Sequence, residues 1–261
     1  MRKHFKTIVL SDIHLGSEYS KTREVINFLR HVNCNRLILN GDIIDCWKLK
    51  RTCRSWKKEH TELIKVLMKM MENCDTEIIY VRGNHDDFVT KLTPFHLANI
   101  HIVSNYTLIS GNKRYFVTHG DIFDTVTTKL RWLAQLGDIG YTLLLNINKY
   151  YNMYRAWRKL PYYSLSQQIK QHVKKAVSYI SDFQKELVSL ARSQNYDGVI
   201  CGHIHQAANE MHEGIHYLNS GDWVESLTAL TEDDYGNWNI ETYSEKEYGR
   251  DESTYQLEVA V

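Results

Sequence analysis

Proline is almost missing from this chain, at two residues in 261, and no proline-, glycine- or serine-rich linker or low-complexity tract interrupts it. Glycine, at 13 residues, is far too sparse for a collagen-like repeat, and no internal repeat of any other period is present. Net charge is nearly absent too: 32 Lys and Arg against 31 Asp and Glu leave +1, which removes any argument from global charge for nucleic-acid binding. The five cysteines, Cys34, Cys46, Cys53, Cys74 and Cys201, form an odd set without a C-x-x-C pair. That excludes a disulfide framework and predicts buried thiols in a reducing compartment.

Long apolar runs are also lacking. A membrane-spanning helix needs about 18 to 20 apolar residues, and the best stretch, Ile139 to Ile147, is half that and holds Thr142 and Asn146. The basic start, Met1-Arg2-Lys3-His4-Phe5-Lys6, resembles a signal n-region until the apolar run after it stops at Leu10 and Asp12 follows. A cytoplasmic protein is expected, with peripheral contact at the inner membrane face left open. What is present, 43% hydrophobic and 24% charged residues, suffices for an ordinary globular domain with a large buried core.

The N-terminal half reads as strand, polar loop, helix, three times over. Strands are expected at Lys6–Leu10, Arg36–Leu39 and Glu77–Val81. Helices are expected from Thr22 to Val32 and around Leu63, Ile64, Val66, Leu67 and Met70. A hairpin about Ser110-Gly111-Asn112 follows, joining Tyr106–Ile109 to Tyr115–Val117. The pattern is helical from about Thr125 to Arg192, and strand character resumes at Gly198–Cys201, Ile215–Asn219, Ser226–Leu230 and Trp238–Tyr243. Strands alternating with helices predict an α/β layered fold whose ligands gather where strands end. The expected organisation is one domain over 1–243 with a helical insertion at 125–192, then a polar, solvated tail over 244–261.

Every strong polar cluster directly follows a strand: Asp12-x-His14, Gly41-Asp42, Gly83-Asn84-His85-Asp86, His119-Gly120-Asp121 and Gly202-His203-x-His205. Alone, each reads as a turn, a cap or a surface pair. Together they offer seven oxygen or imidazole ligands, more than one ion needs and the right number for two divalent cations sharing a carboxylate. Paired cations suit phosphoester hydrolysis, since they acidify a water and stabilise charge building on phosphoryl oxygens. The leaving oxygen then needs a proton, and His85, beside Asn84, is placed to supply it. Asp45 and Asp121 are candidates for orienting the histidines.

This motif set resembles that of the calcineurin-like metallophosphoesterase superfamily. The resemblance implies a two-sheet β-sandwich flanked by helices. It implies that Asp12, His14, Asp42 and His205 hold one metal, and Asp42, Asn84, His119 and His203 the other, with Asp42 as the bridge. A narrower resemblance, carried by Gly41-Asp42-Ile43-Ile44-Asp45-x-Trp47, the insertion after His119-Gly120-Asp121, and Asn219-Ser220-Gly221-Asp222-Trp223, is to the UDP-2,3-diacylglucosamine diphosphatase group of lipid A biosynthesis. It implies cleavage of a nucleotide-linked lipid to UMP and a lipid monophosphate, typically with Mn2+; Fe and Zn suit the same ligands. The chain departs from that group at Gly83-Asn84-His85-Asp86, where better-known members read G-N-R-D. Arginine grips a diphosphate and histidine protonates a leaving group, so the departure leaves open a paralogue with a different substrate beside the first reading.

Charge is segregated along the chain. From Thr125 to Ser181 nine Lys or Arg face one acid, Asp138, whereas Glu225 to Val261 carries ten acids against Lys246 and Arg250. The insertion adds Trp132, Tyr150, Tyr154 and Trp157 to Lys129, Arg131, Arg155 and Arg158, the expected substrate-binding cations. A basic, aromatic lid suits an anionic, partly apolar substrate or an anionic membrane surface, and no nucleic acid is expected. The alternatives are a phosphodiesterase or phosphatase for soluble nucleotides, with the insertion serving only as packing, or a metal-binding scaffold without catalysis.

Overall fold

The computed structural model describes residues 2–51, 56–86, 89, 92–123, 153, 155, 157–158 and 180–249. One compact unit takes in Met1–Asp121 and Val188–Val261, and a second takes in Ile122–Leu187. Lys129 and Arg131, most of the expected insertion, Cys53 and the last twelve residues lie outside the described residues.

The first unit is built on two sheets. In chain order the elements are β1 (Lys3–Leu10), α1 (Thr22–His31), β2 (Val32–Asn40), α2 (Cys46–Arg51), α3 (Lys58–Cys74), β3 (Glu77–Val81), β4 (Phe95–Leu97), β5 (Ile100–Val103), β6 (Tyr106–Ser110) and β7 (Lys113–Val117). A helical run over 180–193, α4, leads to β8 (Gly198–Cys201). Then come β9 (Ala208–His212), β10 (Ile215–Asn219), β11 (Thr228–Glu232), β12 (Trp238–Thr242) and α5 (Glu245–Tyr248). The seven-stranded sheet runs β12-β11-β1-β2-β3-β5-β4 and the five-stranded sheet β6-β7-β8-β10-β9. Strands β1, β2, β3 and β5 are parallel, as are β7, β8 and β10, with antiparallel strands at the edges of both sheets.

Period-two alternation sorts the core into two layers. Ile8, Leu10, Leu37, Leu39 and Ile78 point to one face of the larger sheet, where Val25, Phe28 and Leu29 of α1 and Leu63, Val66, Leu67 and Met70 of α3 cover them. Val9, Ile38, Ile79 and Val81 point to the other face and meet Leu108, Tyr115, Val117, Ile200 and Leu218 of the smaller sheet. Strands buried on both faces are apolar along nearly their whole length, which is why Ile8-Val9-Leu10 and Leu37-Ile38-Leu39 read as continuous runs. Each such side chain contributes about 1.5–3 kcal/mol on leaving water. The ion pairs Arg23–Glu59 (2.7 Å) and Arg30–Glu62 (2.6 Å) tie α1 to α3 on the outside.

The expected two-sheet α/β architecture is the one observed, and the structure adds elements the sequence did not signal. Strands β4, β5 and β9 and the short helix α2 are new. Beyond Ser244 the chain is not simply a solvated tail: α5 buries Tyr248 against Phe28 and Tyr243. The 233–237 segment is the hairpin turn between β11 and β12, closed by Asp233, which accepts the Tyr235 and Asn237 N–H groups. Cys34, Cys46 and Cys201 are buried cysteines, and burial pushes the Cys34 and Cys201 thiols up to about 12. No helix among the described residues is long and apolar enough to cross a membrane.

Candidate metal centre

The parallel strands β1, β2 and β3 of one sheet and β7 and β8 of the other deliver their following loops to one place. Asp12 and His14 follow β1, Asp42 follows β2, Gly83–Asp86 follows β3, His119 follows β7, and His203 and His205 follow β8. Three overlapping groups form there: Asp12 with His14 and His205, His14 with Asp42 and His85, and Asp42 with His119 and His203, the ligand atoms of each lying within 4.8 Å of one another. Asp42 and His14 each belong to two groups. Asn84 is fixed by its neighbours, since Gly83 packs on Asp42 and the His85 N–H donates to Asp42 Oδ1 at 2.8 Å.

The loops hold this arrangement in costly backbone. Asp12, His14, Asp42, His203 and His205 all have φ between +52° and +70°, a region that L residues enter at about 1 kcal/mol or more each and that collects at functional sites. Two glycines permit the close approach: a Cβ on Gly41 (φ +81°) would strike the His119 ring, and one on Gly83 would strike Asp42. The room they leave is for neighbouring ligand residues.

Several buried ligand atoms have no hydrogen bond: Asp12 Oδ1, Asp42 Oδ2 and His119 Nε2. Their other atoms are spoken for. Asp12 Oδ2 accepts the His203 N–H at 2.9 Å, and His119 Nδ1 donates to the Asn40 carbonyl at 2.9 Å. In the neutral ring this leaves the His119 Nε2 lone pair 3.4 Å from Asp42 Oδ2, while His205 Nε2 stands 3.2 Å from Asp12 Oδ1. Lone pairs aimed at one another in a dry pocket require a positive charge between them. A divalent cation supplies it, and the mixed carboxylate and imidazole donors fit one.

Without a cation, protons must take that role. Burial favours neutral His119, yet the Asp42 and Asp12 carboxylates outweigh it and raise the ring to about 10; His205 is raised to about 9 against burial, chiefly by Asp12. His14 goes the other way, burial pulling it down to about 4, so it is a neutral donor at pH 7. Folded-state values above 6.5 stabilise the fold below that pH, and the contribution is lost as pH rises through about 9 to 10. The metal-free protein is therefore expected to lose melting temperature between pH 7 and 10, and metal uptake near pH 7.5 to release protons. Thermal melts across pH, and titration calorimetry in buffers of differing ionisation enthalpy, check both; a flat melting profile with no proton release would contradict the charge balance described.

Supporting residues surround the ligands. His85 packs edge-on to His14 (5.0 Å) and tilted on Trp47 (4.4 Å between ring centroids), with Nδ1 3.4 Å from Asp45 Oδ1. Asp45 also accepts the Lys48 N–H at 3.0 Å, so it orients His85 and caps α2 at once. Asp121 differs from expectation: it pairs with Arg82 at 3.3 Å, and the Asn40 carbonyl holds His119 instead. Trp223 is fully buried and its backbone N–H donates to the Asp12 carbonyl at 3.1 Å, so the Asn219–Trp223 segment buttresses the first loop. Sequence reasoning gave Asp86 no role of its own. It is fully buried and accepts from Ile44 N (2.9 Å), Gly83 N (3.2 Å), Ile43 N (3.4 Å) and the Tyr80 hydroxyl (3.0 Å), clamping the β2 loop to the β3 loop. Arg155 is partly buried and Arg158 exposed, both in the second unit.

Strand-end carboxylates and imidazoles converging between two sheets define a metallophosphoesterase. The model of the calcineurin-like phosphoesterase family matches residues 5–207, and the chain belongs to that family, whose members work with divalent metals. Among solved structures the chain is similar to the E. coli phosphoesterase Yfce, over 87% of this chain and 88% of that one, at 16% identity and TM-score 0.43. It is similar to an archaeal phosphodiesterase over 90% and 98%, at 15% and 0.42, and to a single-site variant of Vps29 from Entamoeba histolytica over 91% and 99%, at 12% and 0.42. No curated protein matches its sequence significantly.

Proposed function

We propose that this metallophosphoesterase uses two divalent metal ions, Mn2+ in the first place, to hydrolyse the pyrophosphate bond of a nucleotide-linked lipid such as UDP-2,3-diacylglucosamine. The observation that carries the two-ion reading is the chain of three ligand groups linked through His14 and Asp42, with Asp42 Oδ2 buried without a hydrogen bond. Asp12, His14, Asp42 and His205 hold one ion, and Asp42, Asn84, His119 and His203 the other. Bound there, the ions supply an acidified water and draw charge from the phosphoryl oxygens. The chain's own part is positional and protic. Asp45 faces His85 Nδ1, which presents Nε2 to the centre, 3.9 Å from Asp42 Oδ2, where it gives a proton to the leaving oxygen.

The lipid half of the reading rests on the sequence resemblance and on the cationic, apolar composition of the insertion. Within 153–158, Met153 and Trp157 are exposed beside Arg155 and Arg158. In this reading Arg155 and Arg158, with Lys129 and Arg131, bind the anionic substrate, and the protein works in the cytoplasm in peripheral contact with an anionic membrane. The test is UMP release from UDP-2,3-diacylglucosamine with added Mn2+, beside an aryl phosphodiester and a soluble nucleotide diphosphate. Turnover of the lipid substrate at least tenfold above the soluble ones is expected. Equal or better turnover of the soluble compounds would leave the phosphoesterase and remove the lipid; turnover of none would favour a scaffold.

A further inference from the structure

The hairpin β4–β5 closes the outer edge of the larger sheet with a two-residue loop, Ala98-Asn99, and places His96 directly opposite His101. In such a hairpin the pair flanking the loop exchanges backbone hydrogen bonds, and the next pair, here His96 and His101, brings its side chains closest. The two Nδ1 atoms face each other at 2.7 Å, with ring centroids 5.0 Å apart. The far nitrogen of His101, Nε2, stands 3.4 Å from Glu77 Oε1, while the other oxygen of Glu77 accepts from Arg36 Nε at 2.8 Å. Glu77 thereby favours the tautomer that carries its proton on Nε2, leaving the His101 Nδ1 lone pair aimed at His96. Carboxylate behind histidine, with the free nitrogen forward, is how proteins orient imidazole for a metal.

We propose that His96 and His101, backed by Glu77, form a further metal site, separate from the catalytic centre, that takes a transition-metal ion such as Zn2+ or Ni2+ and not Mg2+ or Ca2+. Imidazole suits the first two and oxygen ligands the others. The ion replaces the single proton the two rings otherwise share, and water fills its remaining positions. Tetrahedral bonds of 2.0–2.1 Å set the nitrogens about 3.3 Å apart, which the exposed His96 reaches by a small outward swing.

The test uses the full chain stripped with chelator and dialysed against Zn2+ alone. The wild type is expected to retain one equivalent more than either His96→Gln or His101→Gln, and Glu77→Gln to keep that equivalent with about tenfold weaker affinity. Hydrolysis of an aryl phosphodiester is expected to be unchanged in all three, so that loss of this site reads separately from loss of the catalytic one. His96 is exposed, and its variant carries the test even if His101→Gln folds poorly. Equal stoichiometry in wild type and His96→Gln would overturn the proposal, the pair then sharing a proton and nothing more.

Discussion

Asp42→Asn is expected to empty the centre of metal and to lower turnover by more than about a thousandfold. Asparagine is nearly isosteric, tolerates the φ of +53° at this position, and keeps an oxygen for the His85 N–H, so the loop retains its shape. The negative charge facing His14, His85 and His119 is lost. In its place the amide N–H can donate to the buried His119 Nε2 lone pair, satisfying without any ion the atom that otherwise calls for one. The variant should therefore fold and melt as well as the metal-free wild type. Elemental analysis of protein purified without chelator, with steady-state hydrolysis of an aryl phosphodiester, checks the expectation. Full metal content and undiminished turnover would show that Asp42 is no bridge.

Asp86→Ala should produce the largest loss of stability. It leaves the N–H groups of Ile44 and Gly83 and the Tyr80 hydroxyl without their acceptor inside the protein. Orphaned buried donors cost about 1–3 kcal/mol each, so a loss of about 3–5 kcal/mol is expected, or about 10 °C in melting temperature for a chain of this size. Burial and the nearby Asp42 charge raise Asp86 itself to about 6, which offsets part of what its hydrogen bonds contribute above that pH. Because the clamp joins the Asp42 loop to the Asn84-His85 loop, turnover should fall together with stability. A melting temperature within a degree of wild type would show that the two loops hold each other by other means.

The contrast between these two residues shows what the sequence discloses. Asp42 is legible because it follows a strand and a glycine, and because four similar clusters repeat that grammar. Asp86 belongs to one of those clusters, yet its donors come from Ile43, Ile44, Tyr80 and Gly83, and only a folded chain brings them together. The same holds for Asn40, whose carbonyl sets the His119 tautomer: a backbone acceptor leaves no mark in the side-chain pattern. Strands buried on both faces were readable as apolar runs. Strand β9, Ala-Asn-Glu-Met-His, was not, since an edge strand with exposed side chains carries no hydrophobic signal. Tyr248 was hidden by the acidic residues around it, although it ends up among Phe28 and Tyr243.

Because the ligands come from loops of both sheets, a cation held among them is also a rivet. It pins Asp12, in the loop after β1, to His205, in the loop after β8, across the seam of the sandwich. Cross-linking segments so remote in sequence restricts the unfolded chain more than any local contact does. The ion that performs the chemistry thus also governs how readily the two halves of the sandwich part, and depletion of metal in the cell would shorten the protein's lifetime as well as silence it.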